Sequence, residues 1–137
     1  MKTIELKQEP KYFNAQEVKI KKFELRKNDR DYQVGDILKL KRYHKDWGYL
    51  KSFKALSLSK GWDTFYKPCR KEEADTLEVQ VKTILTAEQV NQLCWEKETL
   101  EAIERMEPEK VFEVLKAFFQ TNQLPEDYVL METEVLE

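Results

Sequence analysis

Charged residues of both signs are concentrated in the segment 21–31. Eight of its eleven positions carry a charge: Lys21, Lys22, Glu24, Arg26, Lys27, Asp29, Arg30 and Asp31. Phe23 and Leu25 alternate with Glu24 and Arg26, which predicts a β-strand with one apolar and one polar face. On the polar face Glu24 would lie beside Arg26, and Lys21 would lie just before the strand. Asn28 and Asp29 are turn formers, so Lys27 to Asp31 are predicted to form a loop.

A carboxylate between two cations stays ionised and holds both cations in place. Such a pocket could bind a planar polar ligand such as a nucleobase. Glu24 would accept a hydrogen bond from an amino group of the base, and Arg or Lys would bind a phosphate. We therefore predict six ligand-binding residues: Lys21, Glu24, Arg26, Lys27, Asn28 and Arg30. The commoner explanation of the same pattern is a polar strand face with surface ion pairs, each worth roughly 0–1 kcal/mol.

The two halves of the chain have opposite charge. Residues 1–70 contain 18 Lys and Arg against 9 Asp and Glu, whereas residues 71–137 contain 6 against 17. A basic half favours attraction to phosphates, and an acidic half would confine that contact to one face. Attraction between the two halves within the fold explains the same asymmetry.

The sequence offers little support for metal, redox or membrane chemistry. Cys69 and Cys94 lie far apart with no CxxC step, and the single histidine, His44, cannot complete a zinc site. We predict no metal and no cofactor. The three glycines cannot form a glycine-rich phosphate loop. No apolar run approaches a membrane span or a signal segment, so we expect a cytoplasmic protein without a membrane partner.

The order of predicted elements indicates an α+β fold in a single domain, residues 1–137. The expected elements are strands at 3–7, 22–26, 37–43, 76–85 and 128–133, a short helix from Pro10, a turn at Val34–Asp36, a helix from Ala87 to Met106, and a helix after Pro108 ending near Asn122. In the strand 76–85, Leu77, Val79, Val81 and Thr83 are expected to share one face. Thr86 is a candidate N-cap. A mostly antiparallel or mixed sheet, or a small barrel, fits this order.

Between residues 43 and 70 aromatic residues interleave with lysines. This pattern predicts either a hairpin with a long excursion or a partly mobile insertion. Bases stack on aromatic rings while lysines neutralise phosphate, so the segment could contact nucleic acid. Burial of the aromatics in the core is the commoner alternative.

The segments ELK, PKYFNA and KKFELRKNDRDYQVGDIL resemble a small bacterial and phage family of unknown function within the ASCH group, whose fold is PUA-like. The resemblance is dense over residues 4–42, weak at 76–85 and 128–133, and poor at 43–70. It implies a small mixed β-barrel with flanking helices, a variable excursion at 43–70 and a helical insertion at about 87–122. The cleft would lie beside a G-x-K-x-x-E-x-R signature, whose Lys, Glu and Arg match Lys21, Glu24 and Arg26. Lys19 occupies the position where that signature has glycine.

ASCH-like proteins are proposed to bind RNA or nucleotides, so the resemblance implies an RNA- or nucleotide-binding module. A few act as amidohydrolases on modified cytidine, which makes a small hydrolase of modified nucleosides the alternative. In that case Lys21 would be the nucleophile or activating group, and Glu24 or Glu78 would move protons. Glu24 stands where the hydrolase branch has threonine, which weakens this alternative. A third hypothesis is a phage or mobile-element accessory protein that binds a protein partner through its acidic helices, 87–122.

Overall fold

The computed structural model describes all residues from Met1 to Glu137 and has the mixed α+β composition that the sequence predicts. The strands are β1 (Thr3–Gln8), β2 (Phe23–Lys27), β3 (Ile37–His44), β4 (Gly48–Ser57), β5 (Gly61–Pro68), β6 (Thr76–Thr86) and β7 (Tyr128–Val135). The α-helices are α1 (Pro10–Glu17), α2 (Ala87–Val90), α3 (Lys97–Met106) and α4 (Pro108–Phe119). None of these helices has the length and apolar character needed to cross a membrane.

All seven strands form one open, mostly antiparallel sheet. Its main path runs β2-β7-β6-β3-β4-β5, and β1 lies parallel to β3. The ends of the path, β2 and β5, do not pair with each other. The structure therefore shows an open mixed sheet and does not confirm the small barrel that we expected.

Two hydrophobic clusters pack on opposite sides of the sheet. The first joins the sheet to α2–α4 and includes Phe23 and Leu130, whereas the second contains Val79 and Met131. Side chains alternate along β2, so Phe23 faces the helices and Glu24 faces the other side, where its paired neighbour is Met131. The polar side chains of Glu24 and Arg26 therefore lie on the face of β2 opposite to the helices.

A β-bulge in β6 changes which residues share a face. The register of β6 on β7 shifts between Val81 and Thr83. As a result Ile84, not Thr83, joins the second cluster, and the Thr83 hydroxyl donates a hydrogen bond to Glu132 at 2.8 Å. The expected grouping of Thr83 with Leu77, Val79 and Val81 is wrong, because an extra residue in one strand reverses the alternation beyond it.

Thr86 ends β6 and caps α2, as predicted. Its hydroxyl accepts a hydrogen bond from the Gln89 amide at 3.2 Å, and the Gln89 side chain accepts one from the Thr86 amide at 2.9 Å. This reciprocal capping box satisfies two backbone donors that a helix terminus would otherwise leave free.

The helix predicted from Ala87 to Met106 is interrupted between Val90 and Lys97. The Asn91 side chain donates to the Leu124 carbonyl and accepts from the Leu124 amide, each at 2.8 Å. The Trp95 indole donates a hydrogen bond to the Val90 carbonyl at 3.0 Å, which gives a backbone acceptor at the end of α2 a partner. These contacts fix the segment in a non-helical path against the loop before β7. The second helix ends at Phe119, earlier than the expected Asn122.

β4 and β5 form a long two-stranded ribbon, residues 48–68, so the hairpin alternative for this segment is confirmed. Near its base Tyr43 of β3 pairs with Tyr49 of β4. Buried Arg42 packs at this end of the ribbon. Its guanidinium lies 4.2 Å from the centre of the Phe13 ring and 4.7 Å from the centre of the Tyr66 ring. Its Nε also donates to Asp75 at 2.9 Å.

Candidate functional site

Glu24 is the centre of a buried hydrogen-bond network. One carboxylate oxygen, Oε2, accepts from Lys21 Nζ at 2.5 Å and from Gln8 Nε2 at 2.9 Å. The other, Oε1, accepts from Arg26 Nε at 3.0 Å and from Arg26 Nη2 at 2.8 Å. The prediction that Lys21, Glu24 and Arg26 lie close together is therefore confirmed. Nothing in the sequence indicated Gln8, which reaches the Glu24 carboxylate because β1 pairs with β3.

Both oxygens of Glu24 already accept two hydrogen bonds each, and the residue is almost completely buried. A carboxylate offers about four acceptor sites, so Glu24 has none left for a ligand amino group. This occupancy argues against the direct ligand contact that we expected of Glu24. Its geometry is that of a positioning residue, which fixes the orientation of Lys21 and Arg26.

The charges of this network are set by burial and by the close cations. Burial alone would raise the pKa of the Glu24 carboxyl group, but the charges and hydrogen bonds of Lys21 and Arg26 outweigh it and hold that pKa at about 2. Burial also lowers the pKa of the Lys21 ammonium group, and attraction to Glu24 opposes this shift. Glu24 is therefore an anion at neutral pH.

Arg26 presents the free donors of the network. Its Nε and Nη2 bind Glu24, and Nη2 also donates to the Lys7 carbonyl at 2.9 Å. Nη1 has no hydrogen-bond partner in the protein, and the side chain is partly exposed. Because the guanidinium plane is held by these fixed contacts, the two Nη1 protons have a defined direction for an incoming anion or carbonyl.

These residues line a cavity of about 830 Å³, whose walls come mainly from β1, β2 and the loop after it, with further residues from α1 and α4. Its walls carry seven Lys and Arg against four Asp and Glu. Two of the carboxylates are neutralised within the protein: Glu24 by its two cations, and Glu5 by Lys71 at 2.7 Å. Three cations, Lys7, Arg30 and Lys41, form no ion pair. The cavity therefore favours an anionic ligand.

Aromatic rings form much of the remaining wall. Six aromatic residues line the cavity: Tyr12, Tyr32, Tyr49, Phe118, Phe119 and Tyr128. Burial raises the pKa of the Tyr32 phenol, so this group is protonated at neutral pH and can donate a hydrogen bond. Cationic and flat apolar surfaces thus lie in the same cavity.

Four other sequence-predicted residues lie in different places. Lys27 and Arg30 line the cavity beside the network, and Lys27 lies 3.6 Å from Asp127. Asn28 does not line the cavity. Glu78 is exposed on β6, 3.9 Å from Lys39, and is not part of the cavity wall. The structure therefore does not bring Glu78 together with Lys21 and Glu24.

Several lining residues were missed by sequence reasoning. Lys7 and Lys41 are paired neighbours on β1 and β3, and Phe118 and Phe119 end α4. The alternation of β1 signalled that Lys7 is on its polar face, but only the parallel pairing of β1 with β3 brings it to Lys41. Nothing in the local pattern of α4 showed which strand it would approach. No group of three or more His, Cys, Asp or Glu residues is arranged to hold a metal ion.

Lys19, where glycine was expected, has a left-handed backbone with φ of 64°. The chain turns here between α1 and β2, and the Lys21 amide donates to the Ala15 carbonyl at 3.0 Å. A residue with a side chain adopts this conformation at a cost that glycine does not have. The Lys19 ammonium group forms an ion pair with Glu137, so it lies away from Glu24.

The site and fold define a small α+β domain with a basic, aromatic cavity. A family profile described as a domain of unknown function (DUF3850) matches residues 3–60, which include β1, β2 and β3. Among solved structures, this chain is similar to the crystal structure of hypothetical protein PH0355, at 21% identity and a TM-score of 0.47, over 99% of this chain and 100% of that one. No curated protein matches the chain.

Proposed function

We propose that this protein binds a nucleotide unit, either free or within RNA, in the cavity beside β2. The observation that carries the proposal is the excess of cations over carboxylates in a cavity that aromatic rings also line. A nucleotide combines an anionic phosphate with a flat, hydrogen-bonding base, and these are the two chemistries that such walls accommodate. The volume of about 830 Å³ is within the range of small-molecule sites.

The proposal assigns different tasks to different residues. Arg30 and Lys41, which form no ion pairs, would bind phosphate, and the two Nη1 protons of Arg26 would bind phosphate or a base carbonyl. Tyr32 and Phe118 offer ring surface for the base. Glu24 would act only by orienting Lys21 and Arg26. The resemblance of Lys21, Glu24 and Arg26 to the ASCH signature accords with this assignment, and a PUA-like classification of the fold is part of the proposal.

The test is equilibrium binding of nucleoside monophosphates and short single-stranded RNAs at two salt concentrations. Arg30→Gln and Lys41→Gln each remove one unpaired cation, and Lys82→Gln, outside the cavity wall, is the matched control. We expect weaker binding in the first two variants only. The affinity for RNA should also fall with salt, by a slope of about 0.7 per neutralised phosphate. Absence of binding, or equal losses in all three variants, would refute the proposal.

Arg26→Ala is a second test variant, and its unfolding curve must be measured because it removes a partner of buried Glu24. A variant that folds but does not bind would support the assigned role of Arg26. Arg26→Lys retains the charge but not the planar fork, so partial recovery of binding would separate the charge from the geometry.

A second candidate function is hydrolysis of a modified nucleoside, and one observation favours it. Lys21 is buried and lies near Arg26, and its pKa is lowered, as a nucleophilic lysine requires. Glu24, with a pKa of about 2, is too acidic to be an efficient proton-transfer group near neutral pH. Release of product from modified cytidines, lost in Lys21→Ala, would support this function.

A protein partner on the helices remains a prediction. Leu100 of α3 is 39% exposed and Phe118 of α4 is 53% exposed. Phe118, however, lines the cavity, so its exposure already has an explanation in the proposed ligand site.

A further inference from the structure

One face of the ribbon carries aromatic and basic residues in alternating order. The cross-strand pairs on this face are Phe53 with Phe65 and Lys51 with Lys67. Tyr49 precedes Lys51 by two residues on β4 and therefore has the same orientation. We call this set, Tyr49, Lys51, Phe53, Phe65 and Lys67, the ribbon face.

The rings of the ribbon face are open to solvent. Phe53 is 41% exposed and Phe65 is 38% exposed, and their centres lie 5.9 Å apart. Lys67 Nζ lies 5.8 Å from the centre of the Phe53 ring. Outside its own two strands, the ribbon packs mainly against β3 and the short 3₁₀ turn Lys71–Glu73. Burial in the core does not explain why aromatic residues occur here.

The ribbon face continues into the cavity. Tyr49 is a cavity residue, and its ring packs edge-on against Tyr43 with centres 5.0 Å apart. The ammonium group of Lys7, another cavity residue, lies 4.4 Å from the centre of the Tyr43 ring. From Tyr49 to Phe53 the strand advances about 13 Å, so the aromatic surface extends well beyond the space of one nucleotide.

The charge of the ribbon indicates the chemistry of its ligand. Residues 48–68 contain four lysines, Lys51, Lys54, Lys60 and Lys67, and a single carboxylate, Asp63. Lys51 and Lys67 lie on the ribbon face together with Asp63, whereas Lys54 lies on the opposite face and Lys60 in the turn between the strands. Such a surface favours a polyanion over a neutral or basic protein partner. Exposed rings between lysines favour a strand with unpaired bases, because bases in a duplex do not offer their faces for stacking.

We propose that the ribbon face binds single-stranded RNA that continues out of the cavity, so that the ligand is a strand several nucleotides long. This inference rests on the proposed function, since the cavity is taken as the site of one nucleotide of that strand. In this arrangement Phe53 and Phe65 stack on bases while Lys51 and Lys67 contact the phosphates between them.

The experiment compares a nucleoside monophosphate with a labelled single-stranded RNA about eight nucleotides long, by calorimetry and fluorescence anisotropy. Phe53→Ala with Phe65→Ala removes the rings, and Lys51→Gln with Lys67→Gln removes the charges. Leu56→Ala with Trp62→Ala is the control, because this exposed pair lies on the opposite face of the same ribbon. Circular dichroism shows whether each double variant keeps its strands.

We expect the ring variant to lose about 5- to 150-fold in RNA affinity for each stacked base, and the control to lose none. The lysine variant should lower the salt slope of RNA binding by about 1.4. Affinity for the monophosphate should be unchanged in both, because the cavity is intact.

RNA affinity that is equal in the ring variant and the control would overturn the inference while leaving the cavity proposal standing. The inference also fails if the RNA strand binds no more tightly than the monophosphate. A concentration-dependent dimer that the ring variant abolishes, without an effect on RNA, would assign the ribbon face to a second copy of the chain. Failure of the wild type to bind either ligand would instead reject the proposed function itself.

Discussion

Replacement of Glu24 by glutamine tests the electrostatic account of the buried network. The substitution keeps the shape of the side chain but removes the charge that Lys21 and Arg26 surround. Because both cations stay in place with no anion between them, we expect a large loss of folding stability at neutral pH.

The expected size follows from the pKa of Glu24. Folding lowers this pKa from its ordinary value of 4.5 to about 2. Each pKa unit corresponds to about 1.4 kcal/mol, so the ionised group contributes about 3 kcal/mol. A lowered pKa stabilises the folded state above pH 4.5, and this contribution is lost as the pH falls from 4.5 towards 2. Below that window neutral Glu24 has no advantage over glutamine.

Urea unfolding of the wild type and of Glu24→Gln, measured from about pH 7 down to about pH 2, provides the test. The difference in the free energy of unfolding should be about 3 kcal/mol near neutral pH and should shrink at acidic pH. Glu78→Gln, which removes one partner of an exposed ion pair, should cost no more than about 1 kcal/mol at any pH. A pH-independent difference, or equal effects of the two substitutions, would refute the reasoning.

Three further predictions concern the local structure. Thr86→Ala removes the capping box of α2 and should lower the free energy of unfolding by about 1 kcal/mol in urea; no loss would contradict the capping role. Burial raises the pKa of the Tyr32 phenol above its ordinary value of 10.0, so a spectrophotometric titration of Tyr32→Phe should lack one phenol that ionises above pH 10 in the wild type. If the phenol lost in the variant is one that ionises below pH 10, the prediction is wrong. Lys19→Gly should raise the free energy of unfolding by about 1 kcal/mol relative to Lys19→Ala, because both lose the ion pair to Glu137 but only glycine adopts a positive φ without strain. Equal stability of the two variants would argue against strain at this position.

The sequence predicted those parts of the site that short-range patterns determine. Alternation along β2 placed Glu24 and Arg26 on one face, and the turn at Val34–Gly35 is present with a φ of 97° at Gly35. Such features depend on a few neighbouring residues, so local sequence specifies them.

The rest of the site depends on contacts between distant segments. Lys41 reaches the cavity through the parallel pairing of β1 with β3, and Phe118 reaches it through the packing of α4. The reversal at Thr83 depends on one bulge, and the gap after Val90 depends on the bonds between Asn91 and Leu124. Each of these features arises from tertiary structure, which periodicity does not record.

The guanidinium of Arg42 has an implication for how sequences of this type can vary. It lies close to a ring of α1, Phe13, and to a ring of the ribbon, Tyr66, so this side chain adds to the pairing of β3 with β4 in linking the ribbon to the rest of the domain. A relative that lacks an aromatic ring at position 66 would leave one side of this buried guanidinium without its contact, unless the arginine were also replaced. We therefore expect the residues at positions 42 and 66 to covary among related sequences. The length of the ribbon beyond position 66, towards its tip between Ser57 and Gly61, is not constrained by this contact.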